Sequence, residues 1–337
     1  MLSNLQILRA FAALNVVLFH IIAIGGEQGF GIPALEFLRD WGANGIDIFF
    51  VLSGFIMVYI AERRPRKPLA FLHSRAVRII PIYWVLTFIG LAAILLAGDF
   101  RGEPTTFEPI VASFLFLTRW TTMDMPILYV GWTLEWEMLF YLIFGLCLFF
   151  KNKTVQFVLP LIILTSLVLF AGQDPIILEF GFGMIIAKIS KSDAAKSYAP
   201  LLTLAGGSLL IASIWIKPDL PQPILWGIPS ALLVLGLVNI KQWKFKLGEH
   251  LGDASYSIYL IQVFTIPVFY KFAEKLVPDL STLLLAIICL SGTALAGSLF
   301  HILIEKRLQK LLVRKKKSPK PAYDIKRLQA VIKTNAS

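Results

Sequence analysis

Charge is what this 337-residue chain has least of: Asp, Glu, Lys and Arg make up 16% of it, against 57% hydrophobic residues. Soluble domains carry roughly 25% charged residues, and a mean hydropathy of +0.74 excludes that class. Cysteine is nearly absent too. Cys147 and Cys289 both lie in apolar runs, which predicts buried thiols and excludes a disulfide framework. No CxxC pair or Cys/His cluster has zinc-ligand spacing, so no metal is expected. A Walker loop and a G-x-S-x-G elbow are missing as well.

Long apolar runs are what fill the chain. Against the ~20 residues (about 17–25) needed to cross the hydrocarbon, ten runs stand out. They are 5–24, 45–62, 79–97, 131–150, 155–171, 176–189, 199–216, 224–240, 255–273 and 281–303, the sixth being short. The stretch "IVASFLFL" at 110–117 is too short to cross and predicts a re-entrant or interfacial segment. With the N-terminus inside, ten spans put 25 basic residues on inner loops and tail, and only six on outer loops. That asymmetry predicts an all-α, polytopic membrane protein of about ten transmembrane helices with both termini cytoplasmic. It also assigns the net charge of +11 to membrane topology rather than to nucleic acid. A signal peptide is a poor reading of the first run, which lacks a basic n-region and is too long. Residues 1–308 are expected to form one membrane domain. The basic segment 309–337 is expected to be a cytoplasmic tail resting on anionic lipid.

Ionisable groups inside a span cost about 2.5–3.5 kcal/mol for Arg or Asp at a helix centre, and those that persist tend to face a cavity. Arg9 and His20 are eleven residues apart. At ~100° and ~1.5 Å per residue they share one face about 16 Å apart along the axis. Arg9 then lies near the inner surface and His20 in the outer half. Snorkelling explains Arg9 alone, and a carbonyl bond explains His20 alone. Asp47 enters the second run from the outer side at the depth of His20, either capping its helix or orienting the imidazole. Ser53 and Gly54 fall mid-span, where small residues allow close helix packing.

Arg75 and Arg78 share a face if helical, and Pro81 marks the start of the third run. With Arg9 at the same depth, three guanidiniums form a possible phosphate clamp; positive-inside anchoring is the plainer account. Glu135 and Glu137 point to nearly opposite faces, so only one looks inward, and Tyr141 shares the face of Glu137. Trp132 and Trp136 read as an interfacial belt. Ser255, Tyr259 and Gln262 form a polar stripe, as do His301 and Glu305; either stripe serves as interhelical glue or as a site.

The order of these motifs resembles the membrane acyltransferase-3 family. They are R-x10-H, G-x-D-x-F-F-x-x-S-G-F, R-x-x-R, W-x-L-x-x-E-x-x-F-Y, S-Y-S-I-Y-L and a closing aliphatic-E-K at 304–306. "GIDIFFVLSGFIMVY" and "GWTLEWEMLFY" are similar to its exopolysaccharide O-acetyltransferase-like branch. The resemblance implies a multi-pass protein of the bacterial inner membrane. Such an enzyme moves an acyl group, usually acetyl, from cytoplasmic acetyl-CoA to a glycan hydroxyl at the outer face. The acceptor is free or polyprenyl-linked. It implies catalytic roles for His20, Asp47 and Glu137, and donor-binding roles for Arg9, Arg75, Arg78 and Glu305. Where many members have histidine, this chain has Gln262, so no acid/base role is placed there. Membrane lipids and acyl-CoA are the expected partners, and the outer loop 98–130, with Arg101, Glu103, Arg119 and Asp124, is the expected sugar contact. Two alternatives stay open: a polyprenyl-sugar flippase with Arg9 and His20 along its path, or another buried-histidine acyltransferase acting on lipid or protein.

Overall fold

The computed structural model describes residues 2–63, 65, 67–97, 107–121, 125–216 and 218–312. Arg64, Arg66, Arg101, Glu103, Asp124, Lys217 and the tail from residue 313 lie outside the described residues. So does part of each expectation that rests on them.

Among the described residues the chain is helical and contains no strand. The helices are α1 (Ser3–Glu27), α2 (Asn44–Arg63), α3 (Pro68–Ala97), α4 (Phe107–Leu115), α5 (Trp132–Cys147) and α6 (Lys153–Ala171). They continue as α7 (Leu178–Ile189), α8 (Asp193–Ser197), α9 (Ala199–Ala212), α10 (Ile228–Asn239), α11 (Lys246–Leu276), α12 (Thr282–Phe300) and α13 (Lys306–Leu312).

Each of the ten apolar runs lies on a helix, but among the described residues only six segments are both long and apolar enough to cross a membrane. These are Ser3–Glu27, Trp41–Arg63, Pro68–Leu96, Tyr129–Cys147, Lys153–Ala171 and Thr282–Leu312. Helices α7, α9 and α10 are short of the ~20 residues that a perpendicular crossing takes. Helix α11 is long enough; Ser255, Tyr256, Ser257, Tyr259 and Gln262 lower its hydropathy. The same residues build the site described below.

Where helices touch most closely, glycine is the reason. A Cβ on Gly45 would lie 2.3 Å from the Ala12 carbonyl, and one on Gly252 2.0 Å from the Gln6 carbonyl, so α2 and α11 both grip α1. Gly54 and Gly183 bring α2 and α7 equally close: a Cβ would stand 2.0 Å from Phe180 O and 2.1 Å from Val51 O respectively. Small residues at an interface let backbones approach within van der Waals range, which replaces the hydrophobic drive that lipid does not supply. The α2–α7 seam is then filled by the stacked rings of Phe50, Phe180 and Phe140, whose centroids lie 4.4 and 4.5 Å apart. By contrast α6 has only 11% of its apolar window buried, so it is a peripheral helix.

Two local expectations change, at Pro81 and Trp136. Pro81 does not begin a helix: α3 runs through it from Pro68, so Arg75 and Arg78 share a face of one continuous rod. Trp136 is not at an interface; it is 1% exposed, with the Arg119 guanidinium 4.7 Å above its ring. The 110–117 segment is the short helix α4, ended by Phe116 at φ 61° and followed by a 3-10 turn at Thr118–Trp120. A phenylalanine in the left-handed region is strained, and its ring is held 4.6 Å from that of Tyr83. Cys147 and Cys289 are buried and unpaired, as their runs imply.

Candidate active site

Helices α1 and α11 form a ladder of polar links. The amide of Gln6 donates to Asp253, Arg9 Nη2 donates to Ser255 Oγ at 2.9 Å, and His20 Nδ1 meets Gln262 Oε1 at 3.1 Å. Tyr270 closes it by donating to the Ile21 carbonyl at 2.7 Å. The i, i+4, i+7 stripe on α11 is therefore what turns toward α1.

The imidazole contacts settle its tautomer. Nδ1 lies 3.0 Å from Val16 O and 3.1 Å from Gln262 Oε1, both acceptors, so Nδ1 carries the proton. The Gln262 amide is itself oriented, because its Nε2 donates to Tyr259 O at 2.8 Å. Nε2 of His20 has no hydrogen-bond partner among the described residues, which leaves its lone pair available. The ring stands between Phe19 and Tyr129, with centroids at 4.8 and 5.1 Å. Among the described residues no carboxylate is hydrogen-bonded to it.

The predicted carboxylates go elsewhere. Glu137 accepts from Ser53 Oγ at 2.7 Å and from the Tyr141 hydroxyl at 2.5 Å. Glu135 turns the other way, as the spacing predicts, and receives the backbone N–H groups of Thr118 and Arg119 at 3.1 and 3.2 Å. Asp47 is fully buried and accepts from Gln222 Nε2 at 3.2 Å. Its carboxyl lies within hydrogen-bond reach of Glu179 on α7, and not of His20. Two ionised carboxylates both only accept, so one of this pair keeps its proton. We expect Asp47→Asn to leave acyl transfer at the wild-type order of magnitude and not to lower the melting midpoint in detergent. An asparagine amide can donate to Glu179 while one buried acid is removed. A loss of rate matching that of a His20 variant would return Asp47 to the chemistry.

Below the His20 level, α1, α2, α3, α5 and α11 enclose a cleft of about 730 Å³ measured to its open mouth. Arg9 and Arg78 line one end, Glu137 and Tyr141 a wall, and Thr133, Phe49 and Tyr259 the other end. Arg9 and Arg78 also line a second, open pocket with Arg75, Lys306, His301 and Glu305. The two pockets thus meet at a pair of guanidiniums. None of Arg9, Arg75 and Arg78 forms an ion pair among the described residues. Glu305 faces them but is engaged by Ser257 at 2.6 Å, His301 at 2.7 Å and Gln309 at 3.0 Å. Three guanidiniums around an open pocket, with Asp253, Glu137 and Glu305 near but not paired to them, suit a polyanion, phosphate above all.

Two residues escaped the sequence reasoning. Glu179 is the one acid in the short sixth run, and its depth there was the signal. Gln262 was set aside as an acid or base, yet it is the side chain that orients His20.

A half-buried histidine above a cationic cleft, within a helical bundle, suits an acyl-transferring enzyme. The chain belongs to the acyltransferase-3 family: the family's acyltransferase-domain model matches residues 2–303. Among characterised proteins it is similar to the exopolysaccharide production protein ExoZ of Rhizobium meliloti (strain 1021). That similarity is 35% identity over 289 residues, covering 79% of this chain and 89% of ExoZ. It is also similar to the acyltransferase MdmB of Streptomyces mycarofaciens, at 25% identity with 96% of each chain covered. No solved structure matches.

Proposed function

We propose that this chain is an O-acetyltransferase that takes acetyl from cytoplasmic acetyl-CoA and esterifies a hydroxyl of a surface glycan. The observation that carries the reading is the state of His20, whose Nδ1 is tied to Val16 and Gln262 while Nε2 is left to act. The phosphates of CoA fit the pocket of Arg75, Arg78 and Lys306, and the pantetheine arm fits the cleft beyond Arg9. His20 Nε2 takes the acceptor hydroxyl proton as the oxygen attacks the thioester carbon. The C–S bond then breaks, and the imidazolium returns the proton to the thiolate sulfur. If His20 is instead the nucleophile, an acyl-imidazole forms first and the hydroxyl attacks that. Gln262 takes the orienting place of the carboxylate in a triad. Glu137 supplies negative charge to the cleft wall, within the field of the guanidiniums.

The glycan acceptor is supported by the similarity to ExoZ, an exopolysaccharide production protein. Ten spans, with Arg9 toward the cytoplasm, put the basic pocket on the donor side and His20 toward the acceptor side. Purified protein incubated with radiolabelled acetyl-CoA and glycolipid from a strain lacking the gene is expected to label the glycan. Sugar transport into vesicles without any label transfer would overturn the reading.

A further inference from the structure

At the end of the guanidinium-lined cleft toward His20 stands the ring of Tyr259, with Phe49 beside it. Along α11, Ser255 bonds Arg9, Tyr259 lines the far end of the cleft, and Gln262 bonds His20. At ~1.5 Å per residue, Gln262 lies about 4.5 Å past Tyr259 and about 10.5 Å past Ser255. His20 is not among the residues lining the cleft. A thioester that enters past Arg9 therefore meets Tyr259 before it meets the imidazole.

Tyr259 is latched in that place. Its hydroxyl lies 2.7 Å from Thr133 Oγ1 and 2.8 Å from Val130 O, and Thr133 Oγ1 lies 3.1 Å from the same carbonyl. Two hydroxyl protons serve these three contacts, so the latch is satisfied however they are arranged. The phenol is 6% exposed, and its ring sits edge-on to Phe49 with centroids 6.4 Å apart. The latch is anchored on the 3-10 turn Tyr129–Gly131, and Tyr129 of that turn is the residue whose ring flanks His20. One three-residue turn thus holds the bar and touches the base.

We infer that Tyr259 is a positioning residue for the transfer proposed above. Its ring keeps the donor thioester from His20 until the Tyr129–Gly131 turn moves and releases it. That turn leads out of the loop expected to receive the glycan, so acceptor binding there both unlatches Tyr259 and frees the imidazole face. The gain is protection of the donor. Once a thioester reaches His20 without an acceptor, water takes the acceptor's place. The water oxygen bonds to the acyl carbon, the C–S bond breaks, one water proton passes to sulfur through His20, and acetate leaves with the other.

The inference rests on the acyl-CoA reading, and the test separates the two. Radiolabelled acetate released from acetyl-CoA is measured without glycan for the wild type, Tyr259→Phe and Thr133→Val, each checked for a monodisperse profile in detergent. Tyr259→Phe keeps the ring and loses both latch bonds; Thr133→Val keeps the shape and loses one. Both are expected to raise acceptor-free hydrolysis about tenfold, the population shift that follows from a lost hydrogen bond. Adding His20→Ala should return it to background. Hydrolysis that stays at the wild-type level in both variants, while the wild type transfers to glycan, overturns the inference and leaves the acyltransferase reading standing. A rise that survives His20→Ala overturns it too, since the leak would then bypass the imidazole. A wild type that transfers nothing from acetyl-CoA, glycan present, overturns both.

Discussion

His20→Ala is expected to lower acyl transfer by about 10²–10⁴-fold, the range for removing a positioned general base, in a protein that still elutes as a single folded species. The side chain is half-buried and its Nδ1 is shared between Val16 O and Gln262 Oε1, so its loss leaves one amide oxygen to find water, beside a carbonyl within its own helix, and opens no large void. The rate is read as label moved from acetyl-CoA to glycan. A folded variant that transfers at near wild-type rate would sink both chemical routes through the imidazole. Quenching Tyr259→Phe without acceptor, where the latch is open, distinguishes those routes: protein-bound label that disappears when His20→Ala is added marks the acyl-imidazole, and no label marks base catalysis.

Gly54→Ala is expected to cost the fold rather than the chemistry. The new methyl would stand 2.0 Å from the Phe180 carbonyl oxygen, where even a weak C–H···O contact keeps about 3.3 Å. The oxygen belongs to backbone, so nothing short of parting α2 from α7 relieves the clash. Parting them unstacks Phe50 and Phe140 from Phe180 and exposes the buried Asp47–Glu179 pair. Overpacking of this kind costs about 1–3 kcal/mol in cores that can shift side chains, and more is expected against a carbonyl. The measurement is yield of monodisperse protein and its melting midpoint in detergent. Gly207→Ala is the control of opposite sign: its methyl meets nothing within 4 Å, and the exchange gains up to about 1 kcal/mol of helix propensity. Equal midpoints for the two variants would refute the close-approach account.

Periodicity and hydropathy were enough to place a helix under every apolar run, because lipid-soluble helices advertise themselves residue by residue. They also brought Arg9 and His20 onto one face and put Glu135 and Glu137 on opposite faces, of which the structure turns that of Glu137 toward the cleft. What single-helix geometry does not carry is which neighbour each face meets. Asp47 shares a depth with His20, yet the Gly54–Gly183 approach turns its face of α2 to α7, where Glu179 waits. Gln262 lies more than 240 positions from His20, and no spacing rule links them. The start of α3 was misplaced for a different reason: proline is tolerated within a helix when neighbours or water satisfy the carbonyl it frees.

The α1–α11 ladder has a bearing on how the molecule is made. Its rungs join residues 242 to 249 positions apart. Helix α1 therefore leaves the ribosome long before α11 and waits, with an arginine and a histidine unattended, until α11 has been synthesised and inserted. The His20 ring cannot be oriented by Gln262, nor the cleft walled, in a product that lacks α11. Completeness of biosynthesis is thereby a precondition of activity, enforced by topology alone.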